Sequence, residues 1–138
     1  MLRVSITILI LALFTVISCS KYSSNTDCVP SSDCYPFPWD SGYVYVDVSY
    51  PGSGPGIPVI LYEGYAEDEV IIWADTVFTD ELIFWVPTRT RYAVEAYYNY
   101  GGQTIVALDG KKLNEESYDD CGETCYEESS IRLDVKKL

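Results

Sequence analysis

"GYVYVDVSY", residues 42–50, decides the fold. Val44, Val46 and Val48 fall on one side of an extended chain, while Tyr43, Tyr45, Asp47 and Ser49 fall on the other. Valine branches at Cβ, which restricts χ1 and suits a pleated surface better than a helix. With Gly42 before it and Pro51 after it, the stretch reads as a half-buried strand that sends its valines to a core.

Working outward, "PGSGPG" (51–56) is a loop, and "IPVILYEG" (57–64) is a second strand. Pro58 lies near its start, where a missing N–H is tolerable. "EVIIWADTV" (69–77) and "ELIFWVP" (81–87) are nearly continuous apolar runs. They are short, β-branched and aromatic, and therefore strands rather than helices. "RYAVEAYYNY" (91–100) and "QTIVALDG" (103–110) flank Gly101-Gly102, a hairpin signal. A two-residue loop would set Tyr98 opposite Ile105, and a three-residue loop would set it opposite Thr104; both registers stay open. "KKLNEESYDDCGETCYEES" (111–129) reads as a long polar insertion. "SIRLDVKKL" (130–138) alternates again, with Ile131, Leu133 and Val135 inward. The expectation is an all-β chain: a single seven-stranded antiparallel β-sandwich, with no amphipathic helix and no internal repeat.

The other end bears on compartment. "MLRVSITILILALFTVISCSKYSS" has one basic residue, Arg3, and then an apolar run from Val4 to Ile17. A bilayer-spanning helix needs roughly 20 apolar residues, so this is an export leader rather than a span. Val16-Ile17-Ser18-Cys19 resembles the lipobox of bacterial lipoproteins, in which the cysteine is acylated and becomes the new N-terminus. That resemblance implies a leader at 1–18 and a lipidated Cys19 that holds the protein to a membrane by its acyl chains. An ordinary secretory leader is the alternative. A tether and an irregular proline- and aromatic-rich segment would fill 19–41, and the β domain 42–138. The implied location is the bacterial cell envelope, the outer membrane being expected, with the leaflet open.

Without residues 1–18 the chain keeps 8 Lys+Arg against 21 Asp+Glu, a net of −13. Such a charge argues against nucleic acid as a partner. Cys28, Cys34, Cys121 and Cys125 form an even set, which in an exported domain means disulfides. Gly122 favours a local clasp, Cys121–Cys125, while two crossed pairings tying the early segment to the late one stay open. The spacing is not that of a common zinc site and there is no histidine, so no metal is expected. The acidic run Glu115, Glu116, Asp119 and Asp120 lacks the alternating ladder of a calcium loop.

"GYVYVDV", "GIPVILYEG", "DTVFTDELIFWVP" and "RYAVEAYY" together resemble the prealbumin-like sandwiches, meaning the transthyretin-like and carboxypeptidase regulatory-like domains of Bacteroidetes-type envelope proteins. The likeness covers roughly residues 42–109 and consists of core periodicity. It implies a binding or spacer module and carries over no catalytic residue. The corner from Asp75 to Glu81 lacks the family's usual glycine, and the cysteine-bearing loop is additional.

The absence of histidine excludes serine triads and histidine acid–base chemistry. No phosphate loop, nucleophile elbow or cofactor motif is present, so no enzyme and no cofactor is expected. What remains is aromatic. Tyr43 and Tyr45 lie opposite the valine row, and Tyr97, Asn99 and Tyr100 crowd the Gly-Gly hairpin. These five are candidate binding residues for an envelope protein partner or a glycan, against the plainer reading that tyrosines line cross-strand pairs and rims.

Overall fold

The computed structural model describes Cys28 and residues 31–137. The described chain is almost entirely β. Nine strands follow in order: β1 (Ser41–Asp47), β2 (Ile57–Glu63), β3 (Ile71–Val77), β4 (Glu81–Pro87), β5 (Thr90–Tyr100), β6 (Gln103–Leu113), β7 (Glu116–Asp120), β8 (Glu123–Glu127) and β9 (Ser130–Asp134). They form a three-stranded sheet β4-β1-β9, a four-stranded sheet β3-β2-β5-β6 and the separate hairpin β7-β8. The expected seven strands are thus nine. The stretch read as a polar insertion extends β6 to Leu113 and then folds as β7 and β8. Both faces of that hairpin carry polar residues, so no alternation announced it.

The valine row does what its period requires. Val44, Val46 and Val48 are all but inaccessible and meet Val59, Leu61, Val94 and Ala96 of the four-stranded sheet in one apolar cluster. Each such side chain contributes about 1.5–3 kcal/mol on full burial. Leu133 and Val135 join the cluster, and Ile131 packs against it, as their alternation predicts.

One pairing departs from the all-antiparallel expectation: β9 runs parallel to β1, with Tyr43 opposite Ser130. The chain reaches β9 only after the β7-β8 excursion, which returns it to the end where β1 begins. There the Tyr43 N–H donates to the Ser129 carbonyl at 2.9 Å. Gly42 makes that approach feasible, because a Cβ on it would overlap the same carbonyl oxygen.

The two larger sheets differ at their two sides. Along β6 and β9 the gap is bridged by side chains: Asp109 accepts the Asp134 N–H at 2.9 Å, and Lys111 donates to the Arg132 carbonyl at 2.7 Å. Along β3 and β4 no strand completes either sheet among the described residues, and Trp73 and Phe84 meet there, edge to face at 5.0 Å.

Disulfides join Cys28 to Cys121 and Cys34 to Cys125, one of the crossed pairings. The local clasp is ruled out by the hairpin itself. Cys121 and Gly122, with φ of 59° and 84°, are the two residues of its turn, which sets Cys125 opposite Tyr118, well below the tip. The early segment is thereby held against β8, where Tyr35 and Tyr126 form a bridge. The buried Thr88 fixes its other end, donating its hydroxyl to the Trp39 carbonyl at 2.8 Å.

Candidate functional site

The five candidate residues divide between two places on different sheets. Tyr43 and Tyr45 lie on the outer face of β4-β1-β9. Register puts Trp85 beside Tyr43 and Ile83 beside Tyr45 on β4, and Arg132 beside Tyr45 on β9. Tyr43 meets Trp85 at 4.6 Å between ring centroids and Tyr45 at 5.9 Å. The Arg132 guanidinium stands 5.1 Å from the Tyr45 ring centroid. It also donates to Asp47 at 2.6 Å and to Glu81 at 2.9 Å, so one cation spans all three strands. Hydrogen bonding to Glu81, followed by the charge of Asp47, raises its pKa further and keeps it cationic. Trp85 is 49% exposed and Ile83 56%, large apolar surface on a strand with no outer neighbour among the described residues.

The second place follows from Pro58. The β2–β3 ladder continues to Ile57 opposite Val77, whereas the β2–β5 ladder stops at Val59 opposite Ala96. Proline has no N–H to donate, so the two strands part at that point. The gap is a cleft of ≈ 590 Å³, lined by Pro51, Pro55 and Pro58 on one side and Tyr97, Asn99 and Thr104 on the other. That volume lies within the range of small-ligand sites.

The hairpin beside it has the two-residue loop. Gly101 and Gly102 both take positive φ, 59° and 83°, and Tyr98 faces Ile105. The same register pairs Asn99 with Thr104. Tyr98 is buried at the base of the cleft, donating its hydroxyl to the Val135 carbonyl at 2.7 Å and accepting the Ser49 N–H at 3.0 Å. Burial raises its pKa. At the rim, the Lys137 ammonium sits 3.9 Å from the centroid of the exposed Tyr100 ring.

Next to the cleft, the hydroxyls of Tyr62 and Tyr97 both donate to one oxygen of Glu95, at 2.9 and 2.5 Å. Desolvation, then the Glu95 carboxylate, pushes Tyr62 up to about 12. Tyr97 is raised as well, chiefly by its hydrogen bond to Glu95. Both phenols therefore stay protonated as donors throughout the physiological range.

Cys19 and the leader at 1–18 lie outside the described residues. Of the acidic run, Glu115 pairs with Arg89 at 2.6 Å, Asp120 accepts the Ser31 N–H at 2.7 Å and Asp119 accepts the Gly122 N–H at 3.2 Å. Those carboxylates serve the stapled end of the fold. Sequence reasoning missed Trp85, Ile83 and Arg132, because β1 pairs with β4 and β9, which are remote in sequence. It also missed Thr104 and Lys137. The departure of Pro58 from the β2–β5 ladder was the one local signal of a cleft. No protein-family model and no curated protein matches this chain.

Proposed function

We propose that this chain is a non-enzymatic lipoprotein of a bacterial cell envelope, held to the membrane by an acylated Cys19, whose β domain is a prealbumin-like sandwich serving as a binding or assembly module. The observation that carries the reading is the outer face of β4-β1-β9. It sets Trp85, Tyr43, Tyr45 and Arg132 side by side, with Ile83 exposed on β4, the edge strand of that sheet among the described residues. Trp, Tyr and Arg are the residue types that dominate protein–protein interfaces, and a free strand edge adds backbone donors and acceptors for an extended partner segment. Crosslinking in intact envelopes tests this. Wild type should yield a discrete partner adduct, and Trp85→Ala with Ile83→Asp should lose it while keeping the native circular dichroism; an adduct that survives both changes refutes the face. Fractionation tests the anchor: Cys19→Ala should release the protein from membranes, and continued association refutes lipidation.

A second reading, glycan binding, is favoured by the cleft at the Gly-Gly hairpin, where tyrosine rings lie next to neutral hydrogen-bonding groups. It predicts binding that tolerates Trp85→Ala.

A further inference from the structure

We infer that the cleft between the start of β2 and the end of β5 takes a sugar bearing a carboxylate, such as a uronic-acid unit of an acidic oligosaccharide; the inference rests on the glycan reading above. The cleft walls are set before any ligand arrives. Pro51, Pro55 and Pro58 each fix φ, so the loop side loses little conformational freedom on binding. On the hairpin side, the β2–β5 ladder ends at Ala96, so β5 beyond that residue has no strand beside it at the cleft. In an antiparallel ladder alternate residues turn both backbone groups toward the missing neighbour, which adds a donor and an acceptor there.

The side chains select the ligand class. Asn99 and Thr104 face one another across the hairpin and both line the cleft. An amide and a hydroxyl each donate and accept, which is what a vicinal diol requires of its partners. Tyr97 supplies a ring against which the apolar face of a pyranose packs. These groups specify a polyol, and a neutral one would suffice for them.

Lys137 adds the charge. Its backbone N–H is fixed to the Ser49 hydroxyl at 3.0 Å, and its ammonium is held over the Tyr100 ring at the mouth. Among the described residues no carboxylate lies within ion-pairing distance of it, whereas its neighbour Lys136 reaches Asp47 at 3.8 Å. The whole chain has 21 acidic residues and 9 basic ones, and yet a cation without a carboxylate partner among the described residues borders this cleft. A carboxylate on the bound sugar would pair with that ammonium. Of the carboxylates, Glu95 lies next to the cleft with one oxygen taken up by the Tyr62 and Tyr97 hydroxyls, and any beyond a Debye length, about 8 Å at physiological salt, is largely screened.

The test is calorimetry on the disulfide-intact mature protein with trigalacturonate and with its neutral methyl ester. The free acid should bind about three- to fivefold more tightly, the size of one exposed ion pair. Lys137→Gln should bring the acid down to the level of the ester, Asn99→Ala should weaken both, and Trp85→Ala should change neither. All three positions are substantially exposed, and retained near-ultraviolet circular dichroism checks the fold of each variant. Equal binding of acid and ester, or a preference that survives Lys137→Gln, overturns the acidic assignment and leaves the glycan reading standing. Loss of binding in Trp85→Ala moves the ligand to the other face and overturns the cleft. Binding of neither probe removes this inference and the glycan reading together.

Discussion

Removing either disulfide should cost less than removing the second one, by an amount the topology fixes. The bridges close segments with sequence separations of 93 and 91 residues. Taken alone, each constrains the unfolded chain by about 4.6 kcal/mol on the loop-entropy relation. The two interlace, however, with their ends close together in sequence. With Cys28 bonded to Cys121, the second bridge closes only the short ring formed by Cys28–Cys34 and Cys121–Cys125. A ring of about 12 residues is worth about 2.8 kcal/mol on the same relation. Replacing Cys28 and Cys121 by Ala, or Cys34 and Cys125, should therefore cost about 3 kcal/mol, and replacing all four about 7.5 kcal/mol. That total is comparable to the whole stability of a domain this size, so the four-alanine variant should be largely unfolded or nearly so. Urea unfolding of the three variants against wild type measures the costs. The buried Cys125 adds a small packing loss to its pair, which makes the Cys28/Cys121 variant the cleaner comparison. Equal costs for the first and second bridges would refute the shared-ring argument, because independent loops add without regard to order.

Two further predictions concern tyrosines. Tyr98→Phe keeps the ring in the core but removes the bonds to Val135 and Ser49. It should cost about 2 kcal/mol at about 1 kcal/mol per bond, or roughly 10 °C in Tm for a domain of this size; a loss below about 0.5 kcal/mol would mean that water replaces both partners. Tyr62 titrates near 10.0 when unfolded and at about 12 when folded, because burial and Glu95 disfavour the phenolate. The unfolded chain thus loses this proton first as pH rises, so the contribution is complete below pH 10 and disappears as pH climbs through about 12. Its limit is about 2.7 kcal/mol, two pKa units. Urea midpoints between pH 9 and 12 should fall more steeply for wild type than for Tyr62→Phe, and parallel curves would show that the shift is absent.

The strands with one buried face were readable because burial writes a period of two into the sequence. Val44, Val46 and Val48 announced β1, and Leu133 and Val135 announced β9. β7 and β8 were invisible for the same reason: their hairpin rests on two disulfides and a bridge to Tyr35 rather than on an apolar face. Gly122 was correctly seen as a turn residue, yet the turn it makes separates Cys121 from Cys125. The tyrosines were visible one by one, but their grouping was not. Which ring meets which depends on β1 lying between β4 and β9, a pairing that alternation within a single strand does not encode. Trp85 was plain in "ELIFWVP"; its place beside Tyr43 was not.

The two candidate surfaces stand in different relations to the proposed anchor. The disulfide-held segment meets the domain where β1 begins, at Thr88 and Tyr126. The cleft lies beyond the other end of β1, at Ser49, Pro51 and Lys137. β1 has seven residues, which at about 3.3 Å each puts about 23 Å between the two ends. Eight residues lie between Cys19 and Cys28, a reach of about 30 Å when fully extended. Under the proposed anchoring, the tether enters at the stapled end, and the cleft lies at the far end of β1 from it. The face carrying Trp85 and Tyr43 runs along the flank between them. A protein lying beside the domain on the same membrane could reach that flank, while a polysaccharide strand arriving from the aqueous side would meet the cleft. The paired disulfides fix where the tether enters the domain, because they pass any pull on it into the β7-β8 hairpin and spare the two sheets that carry the surfaces.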